Sequence, residues 1–432
     1  MKNKNLLSKI VFITVILLIL FSFVAPANFS QALAAPKQEK LLNGLKVLMW
    51  SDAKASDVAV KIRIHAGSAF DPQGKEGVMQ LLADNIFPNE AAREFFTEDL
   101  GGSLEIIANY DYIQINASSK PDQFLTMLET IASAVSNMPI DKETTVKLRD
   151  SRIAKLSFMD ADAAYVADQA VARQLFGTFP YGRPQYGTSG SLQKIDFADL
   201  IDAKQRFLTA DNATLVISGN FDRALGFQAT RRYFGGWLKS DKRVPATFRQ
   251  PEEPAAVFAT VQLPAEGTTV FRFALRGSAR GDKDLGASLV FASVLENRLL
   301  ASVAPPSGRD VSVSSAYHVL PGMLSIGFTA IKEDNGRWPI GKTEATALVG
   351  KLLGDPVTEQ EYQSAKNTVT GLWAKKNPHS FWLDADTYKI ASPGADARIV
   401  ENTTLADVRI YAEKARKLPI AKVLVAKEPK AD

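Results

Sequence analysis

The chain has no cysteine and only three histidines in 432 residues. The first absence excludes disulfides, a lipid-bearing N-terminal cysteine and any thiolate zinc centre. The second leaves little for imidazole chemistry, because no two of His65, His318 and His379 are close enough to share a helix turn. Glutamate is missing from residue 144 through residue 250. There is no P-loop and no dinucleotide fingerprint, and Gly67-Ser68-Ala69 lacks the G-x-S-x-G pattern of a nucleophile elbow. Stability must come from packed cores. A composition 46% hydrophobic and 23% charged supplies them, and the length points to two or more domains.

A large charge of one sign is also missing. The formal net charge is +4, and Lys2, Lys4 and Lys9 account for most of it. They precede an apolar stretch from Ile10 to Val24 and the small-residue site Ala32-Leu33-Ala34, the pattern of a cleaved secretory signal over residues 1–35. An uncleaved membrane anchor is the competing reading of that apolar run. Cleavage predicts an exported protein, periplasmic or extracellular, with no stable membrane span. The remaining chain is nearly neutral and offers no electrostatic reason to bind nucleic acid.

Val58, Val60, Ile62 and Ile64 alternate with Ala59, Lys61 and Arg63, which predicts a half-buried strand. After Gly67-Ser68-Ala69 and a turn at Asp71-Pro72-Gln73-Gly74, a helix is expected from about Gly77 to Phe87. A strand is expected around Tyr110, Tyr112, Ile113 and Ile115, then helices near 122–137 and 142–158, then a strand from Asn212 to Ser218. The same order recurs further on. Gly277-Ser278-Ala279 lies 210 residues after the first Gly-Ser-Ala, again behind an alternating strand and ahead of a Gly-led apolar helix. Met138-Pro139-Ile140-Asp141 is echoed by Asp355-Pro356-Val357-Thr358, each expected to open a helix with its proline at the start.

The repeat predicts an α+β protein of two homologous halves, each a mainly antiparallel sheet with helices packed on one face. The halves are expected at 36–240 and 255–432, joined by a linker at 241–254 that contains Pro245, Pro251 and Pro254.

Several segments carry a resemblance to a known family. They are Asn43-Gly44-Leu45-Lys46-Val47, the run Gly67 to Gly77, Pro180-Tyr181-Gly182-Arg183-Pro184, Asn212 to Asn220 and Tyr233-Phe234-Gly235-Gly236-Trp237. Together they resemble the pitrilysin/insulinase zinc metallopeptidases. The family's motif is the inverted H-x-x-E-H, in which residues four apart share a helix face, hold one Zn²⁺ and flank a Glu that activates its water. A Glu from a later helix completes the open site.

The resemblance places Gln80, Ala83 and Asp84 at the first His, the Glu and the second His. It therefore implies a vestigial motif, no zinc and no catalytic residue. Asp150, Asp160 and Asp162 lie where the third ligand would be sought, but a hard cation on Gln80 and Asp84 would need several more oxygens. Active members also carry an Arg and a Tyr, seven apart, that orient substrate. Arg298-Leu299 resembles the pair upstream of them, which puts Ala304 and Val311 at those two positions.

A degenerate chain of this family is expected to pair with a zinc-bearing paralogue, or with itself, and to hold unfolded peptide. Two other readings fit the same residues: a stand-alone peptide-binding or scaffold protein, and a metalloendopeptidase whose site the motifs do not reveal. His65, at the end of its strand, is read as a structural or surface residue, and His318 with Tyr317, on a later alternating strand, as packing or groove residues. Phe95-Phe96 is read as core.

Overall fold

A computed structural model describes residues 34–240, 248–263, 268–303, 309–331 and 340–426. The first sheet is built from β1 (Lys37–Lys40), β2 (Lys46–Ser51), β3 (Val58–Ile64), β4 (Ser103–Ala108), β5 (Ile113–Ser119) and β6 (Ala213–Gly219) in the order β1-β2-β6-β3-β5-β4. The second uses β7 (Ala259–Gln262), β8 (Thr268–Arg276), β9 (Arg309–Ala316), β10 (Met323–Ile331) and β11 (Ala421–Ala426) in the order β7-β11-β8-β10-β9. β2 pairs with β6 in parallel, as β7 does with β11, and every other pairing is antiparallel. Apart from the extra edge strand β1, one order is the other repeated. The two mainly antiparallel sheets of an α+β fold are those the repeat predicts.

The helices repeat as well. In the first half they are α1 (Val78–Asp84), α2 (Phe124–Ser136), α3 (Lys142–Met159), α4 (Ala163–Phe176), α5 (Phe197–Phe207) and α6 (Arg223–Phe234). In the second they are α7 (Leu285–Ser302), α8 (Lys342–Gly354), α9 (Glu359–Ala374), α10 (Pro378–Tyr388) and α11 (Leu405–Ala415). Several helix starts are set by side-chain caps. Asp141 accepts from the Thr144 N–H to start α3, and Thr358 and Glu361 form a capping box at α9. Pro139 and Pro356 therefore sit two residues before the cap. They are not the first helical residues, and the chain turns before it enters each helix.

Strand alternation sorts side chains between two environments. Val58, Val60, Ile62 and Ile64 of β3 join the core beneath the first half's own helices, with Val47, Met49, Leu215 and Ile217. The opposite face is covered by the other half. Leu383 of α10 packs on Leu48 and Val216, while Ala167, Val171 and Leu175 of α4 pack on Val270, Ala274 and Val423 of the second sheet. Each half lends one helix to the other's sheet. Because both faces are covered, β6 is buried without a break from Ala213 to Ser218, and Arg63 of β3 is 2% exposed where a half-buried strand would leave it in water.

Other expectations shift in detail. Tyr110 and Tyr112 lie in the turn before β5, where the Asn109 carbonyl side chain accepts from the N–H groups of Asp111 and Tyr112. His318 lies two residues beyond the end of β9. Residues 1–33 of the expected signal and 241–247 of the expected linker are outside the described residues. Residues 248–254 are irregular but anchored: Phe248 packs against Phe70 and Phe179, and Arg276 donates to the Pro251 and Glu252 carbonyls. Phe96 is fully buried. Among the described residues no helix is long and apolar enough to cross a membrane.

Candidate functional site

The motif residues before α1 fix where that helix begins. Gly77, at φ 107°, turns the chain into the helix, and an added Cβ there would meet the Leu192 side chain at 2.6 Å. The Asp71 carboxylate accepts from the N–H groups of Gly77 and Met79, both at 2.8 Å. Arg183 donates to the carbonyls of Asp71 and Ala69 at 2.7 and 2.9 Å. Burial pushes the Asp71 carboxyl up to about 7, against the pull of those two N–H bonds. Segments 67–77 and 180–184, far apart in sequence, thus form one clamp on the start of α1.

On that helix Gln80 and Asp84 face the same way, as their spacing requires: Gln80 Nε2 donates to Asp84 Oδ1 at 3.3 Å. Ala83 is 1% exposed and offers no proton acceptor beyond its backbone. The partner of this face is a cation from the protein itself. Arg152, on α3, places Nη2 on Asp84 Oδ2 at 2.5 Å, and its guanidinium lies over the Tyr186 ring, 5.9 Å from the centroid. Only 15% of the Arg152 side chain and 27% of the Asp84 side chain are exposed, so this pair is screened far less than a surface salt bridge.

This donor set does not fit Zn²⁺, which takes three or four His, Cys or carboxylate ligands. One amide, one carboxylate and a fixed positive charge are what the face offers. The three other acids lie elsewhere. Asp150 pairs with Arg149 at 3.1 Å, Asp162 caps α4 through the Ala164 N–H, and Asp160 follows the end of α3. Among the described residues no group of three or more His, Cys, Asp or Glu is arranged to hold a metal. Val311 lies half-buried on the edge strand β9, and Ala304 is outside the described residues.

The histidines are engaged in structure. His65 sits between two hydroxyls, Thr387 at Nδ1 and Thr214 at Nε2, both at 3.0 Å, and burial pulls its pKa down to about 3. His318 pairs through Nδ1 with Asp111 at 3.0 Å, and Asp111 also accepts from Tyr181 and the Val319 N–H. His379 packs its ring 4.5 Å from that of Trp50.

Arg152 is the residue that reasoning from motifs misses, because attention falls on acids where a ligand is sought. A cation on the helix facing Gln80 and Asp84 was the available signal. Also missed is a buried cluster between the halves, in which Asp384 of α10 accepts from Arg63, Arg280 and Lys376 while Arg280 also takes Asp396.

Comparison with known proteins places this architecture. The model for the insulinase peptidase family, M16, matches residues 46–189, and that described as the peptidase M16 inactive domain matches residues 194–369. The chain belongs to the insulinase (M16) peptidase family. It is 23% identical over 362 residues to an uncharacterized zinc protease of Mycobacterium tuberculosis, covering 80% of this chain and 81% of that one. It is 21% identical over 324 residues to the mitochondrial-processing peptidase subunit beta of Saccharomyces cerevisiae, covering 72% and 69%. In fold, this M16 chain matches a peptidase M16 inactive-domain structure from Pseudomonas fluorescens with TM-score 0.77 at 18% identity, covering 91% of this chain and 99% of that one.

Proposed function

We propose that this M16 chain is a non-catalytic homologue of the insulinase-type metallopeptidases, an accessory subunit that pairs with a zinc-bearing paralogue to process peptides in the cell envelope. One observation carries the reading: the Arg152 guanidinium sits on Asp84, on the helix face where the family's motif would gather zinc. Gln80, Ala83 and Asp84 are then vestigial, as are Ala304 and Val311. The chain holds no zinc, and the general base that Ala83 replaces is gone. The basic and apolar N-terminal segment supports export. The yeast relative, named as a subunit, supports pairing.

The test is metal content and peptide cleavage by the purified chain, alone and mixed with a zinc-bearing paralogue from the same source. The reading expects no zinc and no cleavage alone, with faster or altered cleavage by the mixture. Stoichiometric zinc with activity from this chain alone would overturn it. No zinc and no effect on the paralogue would leave a stand-alone binding or scaffold protein.

A further inference from the structure

The cavity beside Asp84 and Arg152 has a volume of about 200 Å³ and is lined by Ala83 and Phe87, by Leu104 and Ile106 of the edge strand β4, and by Leu148 and Arg152 of α3. It is smaller than pockets for whole drug-sized ligands, which run to about 300–1,000 Å³. It suits the end of a chain. The lining is mostly polar and carries a smaller apolar patch from Phe87, Leu104, Ile106 and Leu148. Arg93, Arg152 and Lys155 line it against two carboxylates, Asp84 and Glu90, which leaves one positive charge unbalanced.

That charge centres on a guanidinium with donors to spare. Among the described residues Arg152 bonds one acceptor, Asp84, and its Nε is buried with no partner. A guanidinium can serve two carboxylates at once, and this protein does so elsewhere: Arg280 donates to both Asp396 and Asp384. Arg152 has the first carboxylate and lacks the second.

The geometry points to a carboxylate-binding pocket in which Arg152 takes the free C-terminal carboxylate of a peptide and the apolar patch takes its last side chain. Asp84 holds the guanidinium in place, and Lys155 and Arg93 draw the anion in from the rim. This rests on the non-catalytic reading of the α1 face, since the pocket depends on Arg152 standing there in place of a metal ligand. A partner enzyme's cleavage creates the end this pocket would hold, because every hydrolysed peptide bond leaves a new C-terminal carboxylate.

The experiment uses a dye-labelled unstructured heptapeptide ending in leucine, prepared as the free acid, as the C-terminal amide, and as an amide with glutamate in the last position. Binding to the purified full chain is followed by anisotropy. The free acid should bind about tenfold or more tightly than either amide, the scale set by one charge-assisted hydrogen-bonded contact. Arg152→Gln should abolish that difference, and the exposed rim change Lys155→Gln should reduce it by a smaller factor without disturbing the fold. Equal binding of acid and amide, or binding of neither up to millimolar peptide, would overturn the pocket. A glutamate amide that matches the free acid would overturn the assignment to a chain terminus. Zinc content and mass-spectrometric integrity of the peptide in the same samples test the non-catalytic reading separately: bound zinc or cut peptide breaks that reading whatever the anisotropy gives.

Discussion

Arg63, on the central strand β3 of the first sheet, donates to Asp384 of α10 at 2.6 Å, and the two residues are 321 positions apart. The second sheet does the same in reverse: Arg272 of β8 donates to Asp168 of α4. Each half thus presents an arginine from the covered face of its sheet to an aspartate on the helix it receives from the other half. The two pairs differ in burial. Both side chains of the first are at most 5% exposed, whereas Asp168 is 49% exposed.

That difference predicts unequal costs. Asp384 also accepts from Arg280 and Lys376, and these three cations, led by Lys376, hold its pKa at about 2 despite burial. Asp384→Ala leaves Arg63, which is buried, and Lys376 without their carboxylate, while Arg280 keeps Asp396, and should cost about 3–5 kcal/mol. Asp168→Ala leaves the 5%-exposed Arg272 with the Phe271 carbonyl, but the half-exposed site admits water, so it should cost less, about 1–3 kcal/mol. Urea unfolding of the two variants checks this, and equal losses would mean that the interface is wetter than its geometry.

Two buried histidines weaken the fold in acid. Burial lowers the pKa of His65 to about 3 and that of His379 to about 4, both below the usual 6.5. The unfolded chain takes up these protons near pH 6.5 and the folded chain does not. Their contribution is therefore full above pH 6.5 and is lost as pH falls toward 4, by up to about 1.4 kcal/mol per pH unit for each group. Asp71, held up at about 7, contributes with the opposite sign over the same range. His65→Gln should flatten the fall in urea midpoint between pH 6.5 and 4. A variant that tracks the parent would remove His65 from the explanation. Asp384 acts lower down: its depressed pKa adds stability above about pH 4 that disappears as pH approaches 2.

The repeated Gly-Ser-Ala segments predict a third contrast. A Cβ at Gly67 would lie 2.0 Å from the Asn109 carbonyl oxygen and 2.7 Å from the Tyr112 nitrogen, both backbone atoms that cannot swing away. At Gly277 the nearest atoms, in Met323 and Leu324, are at 3.0 and 3.2 Å. Gly67→Ala should cost about 2–4 kcal/mol by forcing the 109–112 turn off the strand end, and Gly277→Ala clearly less. Thermal or urea melts of the pair decide it.

Much of the fold is legible in the sequence because its signals are local. Val58 to Ile64 alternates and is a strand over that span, and the Gly-Ser-Ala repeat marks two sheets with the same strand order. What stays hidden depends on which element covers which face. Arg63 reads as solvent-facing until α10 arrives from more than three hundred residues away, and Asp384 reads as an ordinary helix acid. The site divides in the same way. The spacing of Gln80 and Asp84 puts them on one helix face, as their mutual hydrogen bond bears out. That Arg152 and no acid is the side chain reaching Asp84 depends on how α3 lies on α1, which no motif encodes.

Arg152 also predicts what rebuilding the motif would require. Gln80→His, Ala83→Glu and Asp84→His together place two imidazoles on one face of α1, and Ala83 borders the cavity, so the new carboxylate has room. With Arg152 retained, a cation stands where the third ligand must come from, and the Asp84 carboxylate that neutralised it has been removed. Zn²⁺ would then meet two ligands and a positive charge, and the triple variant should bind it weakly, well below one ion per chain after dialysis. Adding Arg152→Glu exchanges that charge for an oxygen donor on the helix already in contact with position 84. The quadruple variant should retain close to one zinc per chain in mass-spectrometric metal analysis. Full occupancy in the triple variant would mean that Arg152 swings away without difficulty and does not define the face. No zinc in the quadruple variant would place the third-ligand position elsewhere on α3 or beyond it.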